Sequence, residues 1–159
     1  MKKISAKKRM MFVQNNDFNF LCYMVLLTLE KFLCTSEKSL FVDYRKIAFI
    51  SNIVFWKNKN DWNKIYYESQ ISIKTLDVII QSLEKKGIVN VKLNEKRKTA
   101  DIWIVDRTLS KLFFDESMFA HELEELETIK KIDNRLRTSK LSTFLDKQFS
   151  LHGVKVWEV

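Results

Sequence analysis

The sequence predicts a mainly α-helical protein carrying one small β-hairpin, and three observations predict it. The 159 residues include only two Gly and no Pro, so breakers are scarce and helices should dominate. Apolar residues recur at three- and four-residue spacing over most of the chain, the mark of helices with one buried face. That period then gives way to alternation, with Val89, Val91 and Leu93 set against Asn90 and Lys92, as in a half-buried strand. Twelve Phe, four Trp and four Tyr within 46% hydrophobic residues are enough for a substantial core at this length. The 30% of charged residues is no sign of disorder beside so much apolar content.

Taken in order, the chain opens on a basic arm. Lys2, Lys3, Lys7, Lys8 and Arg9 stand within residues 1–16 with no acid among them. Such an arm tracks a phosphate backbone or a minor groove, or stays a solvated tail. Asp17 is expected to cap a helix running to about Cys34. Phe18, Phe20, Leu21, Met24, Val25, Leu27, Leu29 and Phe32 cover nearly its whole circumference, which predicts the central core helix. The basic start and apolar run imitate a signal peptide. However, Asn15, Asn16 and Asp17 interrupt the imitation, Glu30 and Lys31 close it, and no small-x-small site follows. The run also falls short of the ~20 residues that span a bilayer, so a cytoplasmic location without membrane contact is expected. Cys22 and Cys34 lie in this stretch and are expected as buried thiols.

A polar break at Thr35 to Lys38 precedes a second helical stretch from about Tyr44 to Trp56, carrying Ile47, Phe49, Ile50, Ile53 and Val54. After a polar loop, Lys57 to Asn60, Asp61 should cap a short helix through Glu68, with Trp62, Ile65 and Tyr66 on one face. A turn is expected at Ser69 to Ile71. Ser72 then reads as the N-cap of a helix to Lys86, whose buried stripe is Leu76, Ile79, Ile80 and Leu83. Gly87 sits where a left-handed C-terminal residue belongs. A hairpin follows, with a charged tip from Asn94 to Thr99 and a second strand from Asp101 to Val105.

From Leu109 the pattern is helical again. Phe119, Leu123, Leu126, Ile129, Ile132 and Leu136 recur over about five turns. A short helix over Ser139 to Phe149 and an extended tail through Val154, Val156 and Trp157 complete the chain. The expected organisation is a basic arm (1–16), a central domain (17–108) and a helical C-terminal extension (109–159).

The stretch from Asp61 to Asp106 resembles the winged helix-turn-helix superfamily. The resemblance lies in Ile71-Ser72-Ile73-Lys74-Thr75-Leu76, in Leu83-Glu84-Lys85-Lys86-Gly87-Ile88-Val89, and in the hairpin with Lys96-Arg97-Lys98 at its tip. It implies a mainly α fold in which the hairpin is a wing, with helical extensions at both ends, and it implies double-stranded DNA as partner. The helix capped by Ser72 would enter the major groove, which admits one helix. Lys74, Thr75, Gln81 and Lys85 would face the DNA, Gln81 reading adenine and Lys74 meeting guanine or a phosphate. Asp77 and Val78 share that face and no Arg does, so the wing, through Lys92, Lys96, Arg97 and Lys98, is expected to supply part of the affinity.

The overall charge, +8 with a pI near 9.4, agrees with an anionic partner. The C-terminal segment reverses in charge. Asp115 to Glu127 holds six acids and no Lys or Arg, while Lys130 to Lys147 holds six Lys or Arg against two acids. Helix-dipole placement accounts for this, and so does antiparallel pairing of two copies. A homodimer through Phe119, Leu123, Leu126, Ile129, Ile132 and Leu136 is therefore expected. The rival is that this helix folds back on the core helix of its own chain.

Enzymatic chemistry is not expected, nor is any cofactor or metal. His121 and His152 stand apart, the cysteines form no CxxC, and two glycines cannot build a phosphate loop. Glu122, Glu124, Glu125 and Glu127 read as a solvated face. Nothing offers a nucleophile, base and orienter together. Rich in Lys, Ile, Asn and Phe, the composition is that of an AT-rich genome. The expected function is DNA binding by a transcriptional regulator. The alternatives are a plasmid or phage replication initiator or accessory protein, and a winged helix that docks on another protein.

Overall fold

The computed structural model describes residues 16–56, 59–115 and 117–156. The basic arm from Lys2 to Arg9 and the tail residue Trp157 lie outside them. The described chain is mainly helical with one two-stranded antiparallel sheet, as the sequence predicts.

Helix α1 (Asn16–Lys31) is the centre of the core. Every residue from Met24 to Glu30 is buried, so this helix hides its whole circumference over two turns, as its apolar coverage requires. It begins one residue before Asp17 and ends at Lys31 rather than Cys34. Leu33 takes a left-handed conformation (φ 58°), and Cys34 N–H returns to Leu29 O at 2.8 Å, a Schellman closure. The chain then runs extended along the sheet. Phe41 exchanges two hydrogen bonds with Ile102, and Tyr44 N–H donates to Ala100 O.

Helix α2 (Lys46–Phe55) is buried on nearly all sides. Helix α3 (Trp62–Lys85) is one continuous helix of 24 residues, capped by Asp61, which accepts from Lys64 N–H at 3.1 Å. This corrects the expected turn at Ser69 to Ile71 and the expected N-cap at Ser72. The buried positions Ile65, Ser69, Leu76, Ile79, Ile80 and Leu83 keep a helical period straight through the expected break. Ser69 and Ser72 turn their hydroxyls back to Ile65 O (2.6 Å) and Glu68 O (2.9 Å), the habit of a serine inside a helix. With no Gly or Pro between Asp61 and Lys86, nothing stops propagation.

Gly87 does close α3 with φ 74°; Ile88 N–H bonds Leu83 O and Gly87 N–H bonds Glu84 O. Strand β1 (Val89–Asn94) then pairs with β2 (Thr99–Ile104), in register from Val89 opposite Ile104 to Asn94 opposite Thr99. At the tip, Arg97 N–H donates to Asn94 Oδ1 and Lys98 adopts φ 53°.

Helix α4 (Thr108–Asp115) packs on α1. Helix α5 (Ala120–Ile132) ends before Leu136, which lies in a turn, so the expected five-turn helix is shorter. Within the expected dimer stripe, Phe119, Leu126, Ile129 and Leu136 are buried in the chain's own core, Leu123 is half-buried and Ile132 is exposed. Helix α5 packs on α1 and α2, the fold-back arrangement, because the broad apolar surface of α1 needs this cover. Helix α6 (Leu141–Gln148) places Phe144 and Phe149 around Phe49. The described part of the 109–159 segment thus shares one core with the rest of the described chain.

Candidate nucleic-acid interface

Two extended strands bring the hairpin tip back along α3. Six residues of β1 cover about 20 Å, close to the rise of the last three to four turns of α3. The tip therefore stands beside the middle of that helix. There, Ile73 and Asp77 of α3 and Leu93, Glu95 and Lys98 of the hairpin line a groove of about 440 Å³, floored by Asp43, Tyr44 and Arg45. Two of its carboxylates, Asp77 and Asp43, are occupied. Tyr44 Oη donates to Asp77 Oδ1 at 2.6 Å, and burial together with that bond pushes the phenol up. Arg45 forks onto Asp43, Nε to Oδ1 at 2.9 Å and Nη2 to Oδ2 at 2.6 Å.

The outer face of α3 carries Tyr67, Ile71, Lys74, Val78, Gln81 and Lys85, all exposed. Three of the sequence-derived contact residues, Lys74, Gln81 and Lys85, thus share one face. Thr75 and Ser72 are half-buried on its shoulder. Ser72 is occupied inside the helix and also faces Asn52 Nδ2 at 3.3 Å, so it neither caps nor reaches outward. Lys92, on β1, is paired with Glu37 at 3.3 Å. Lys96, Arg97 and Lys98 are exposed at the tip, and none joins an ion pair among the described residues.

On the far side of the tip from α3 lies a second groove, of about 460 Å³, which the sequence reading missed. Arg97 lines it together with Arg135, Lys140 and Lys147, and Thr138, Ser139, Ser142 and Thr143 complete the wall. No carboxylate lines it. Lys147 is shared with buried Asp133 at 3.3 Å, whereas Arg97, Arg135 and Lys140 have no ion pair among the described residues. The basic run from Lys130 to Lys147 was visible in the sequence, but it read as the end of a long helix. A chain break at Asp133 is what turns these cations toward the hairpin.

That break is built from within. Lys46, fully buried on α2, donates from Nζ to Leu136 O at 2.5 Å and Ser139 O at 2.7 Å, and lies 4.6 Å from the centre of the Phe41 ring. Burial lowers its ammonium to about 7 against the opposing pull of Asp43, Asp133, Cys34 and Asp101. Arg137 O stands 3.5 Å from the same Nζ as a third, longer acceptor. Val42 N–H donates to Arg137 O, and Arg137 Nη1 to Leu40 O, so the same turn is stitched to the extended segment beside β2.

No cysteine or histidine lines either groove. Cys34 is buried and its thiol is pushed up to about 12 by that burial, while Cys22 is partly buried. His152 stacks on Trp62 at 3.8 Å between ring centres, and His121 stands 3.9 Å from Glu125. Among the described residues no three His, Cys, Asp or Glu gather as metal ligands would, and no helix is long and apolar enough to cross a membrane.

No protein-family model matches the chain, and no curated protein or solved structure matches it.

Proposed function

We propose that the chain binds double-stranded DNA in the manner of a winged-helix transcriptional regulator, with the hairpin as wing. The observation that carries this reading is the hairpin tip. Three neighbouring cations stand exposed there with no ion pair among the described residues, at the end of a two-stranded arm held beside an exposed helix face. Unneutralised cations on a protruding edge are what a phosphate backbone needs.

The order of elements supports the wing as well: helix, extended segment, two packed helices, hairpin. In this reading the helix pair is α2 and α3, not the two short helices expected within 61–86. The groove-entering helix is then α3, and its N-terminal half offers Asn63, Lys64, Tyr67, Ile71 and Lys74. The face holds no Arg fork, so affinity comes mainly from phosphates and base preference is weak. A replication initiator would use the same surface. Tyr67, Ile71 and Val78, exposed on that face, favour a second reading, docking on another protein.

The test is a salt titration of binding to a 20-bp duplex. Lys96→Ala, Arg97→Ala and Lys98→Ala combined should flatten the dependence of log K on log salt by up to three phosphates at about 0.9 each. A wild-type chain that leaves duplex DNA free at low salt overturns the proposal and leaves the docking reading.

A further inference from the structure

We infer that the groove between the hairpin tip and the start of α6 is a second phosphate site, which holds the backbone of the same DNA on the side of the wing opposite α3. It rests on the DNA reading for the source of its phosphates. The chemistry is that of the groove itself. Arg97 and Arg135 present two guanidinium forks, each able to take two oxygens of one phosphate, and Lys140 adds a compact charge. The hydroxyls of Ser142 and Thr143 add donors for an anion with several acceptor oxygens, while those of Thr138 and Ser139 bond back to Arg135 O and Leu136 O and help to set the wall. A single carboxylate in the wall would repel such a ligand, and the wall has none.

Pre-organisation is the second argument. These cations stand on a backbone held by hydrogen bonds from other elements. Lys46 grips Leu136 O and Ser139 O from inside, Asp133 Oδ1 accepts from Arg135 N–H at 3.1 Å, and Val42 ties down Arg137 O. The opposite wall is the hairpin, closed by its own Asn94 turn. A site whose walls are set before the ligand arrives loses less on binding. The consequence is a footprint on both sides of the wing, so that the tip is straddled by phosphates rather than lying at the edge of the contact.

Two measurements on the full chain test this. In the first, the Arg135→Gln, Lys140→Gln double variant is titrated with salt on the 20-bp duplex. Its slope should fall by about 1.8, two phosphates' worth, with an unchanged circular dichroism spectrum because both side chains are exposed. In the second, amide resonances of 135–143 are followed as inorganic tripolyphosphate is added. Shifts confined to the groove should appear in the wild type and vanish in the double variant. If the wild type binds duplex and the variant keeps its slope, the groove assignment is overturned while the DNA reading stands. If the wild type binds no duplex, tripolyphosphate decides alone. Groove-confined shifts then support a site for free phosphates, and their absence overturns it.

Discussion

Helix α5 and the turn that follows it carry opposite charge, and the chain treats the two very differently. On α5, Glu125 meets Lys59 at 2.9 Å, Glu127 meets Lys31, and Glu122 is buried. Elsewhere buried Glu30 takes Arg107 and the hydroxyl of Ser110. Ten residues past the acidic face, Arg135 and Lys140 meet no acid among the described residues, nor does Arg97 across the groove. Several acids are thus paired or buried within the fold, whereas Arg97, Arg135 and Lys140 around the hairpin tip stand without an ion pair among the described residues. Net charge alone says only that an anion is welcome; which cations remain unpaired says where.

The largest expected effect breaks the apolar side of that contrast. Leu126 is fully buried beneath the acidic face of α5, and Leu126→Asp should unfold the protein, with a cost of about 4 kcal/mol or more for an unpaired buried charge. Denaturant melts decide it. A folded variant that only changes its sedimentation would show that Leu126 sits at an interface between copies instead.

Next comes Lys46, which supports the basic turn from inside. Lys46→Ala removes the donor shared by Leu136 O and Ser139 O and opens a cavity, for a loss of about 3 kcal/mol, and should weaken DNA binding with it. Its pH dependence has a definite sign. The unfolded lysine keeps its proton up to its ordinary value, whereas the folded one releases it at about 7. Stability should therefore rise with pH between about 7 and 10, by at most ~1.4 kcal/mol per unit. Wild-type melts at pH 6, 8 and 9.5 that run parallel to those of Lys46→Met would contradict this.

Arg107→Ala comes third, at about 2 kcal/mol, because Glu30 would be left buried with Ser110 alone. Burial by itself would raise the Glu30 carboxyl, but the bonds from Arg107 and Ser110 outweigh it and hold the group below its ordinary value. The stability it contributes is therefore present above the ordinary carboxylate range and is lost as pH falls through the lowered value. DNA affinity should not change. The smallest effect belongs to Glu125→Gln, under about 1 kcal/mol for a partly exposed pair. By freeing Lys59 it should leave the salt slope on DNA unaltered, since that cation lies away from the wing. A steeper slope would mean that the interface extends to α5.

Much of this fold was legible in the residues. The all-round apolar coverage of α1 and the single Gly after Lys86 each state a local preference that the tertiary structure keeps; the alternation from Val89 gives the strand, but its buried face lapses at Leu93, which is exposed. Ser69 and Ser72 misled because the same hydroxyl that caps a helix from outside can bond back to the preceding turn from inside. The deciding signal was the apolar spacing from Ile65 to Leu83, which never slips. The stripe on α5 read as an interface because a sequence cannot show that α1 lies waiting for it. The candidate site was half legible. The tip cations announce themselves as neighbours, whereas Arg97 and Arg135 meet only through a contact that spans most of the C-terminal third, and no local pattern encodes that.

That long-range contact makes the second groove a thermodynamic clasp. One wall belongs to the hairpin and the other to a turn that exists only while Lys46 and Val42 hold it, so an unfolded chain has no groove to fill. Any anion seated there favours the folded state by mass action, about 2.7 kcal/mol when its concentration is a hundredfold above its dissociation constant. Occupancy and docking of the C-terminal segment become one equilibrium. Polyanion added to the buffer should then raise the melting temperature, and should slow amide exchange first along α6.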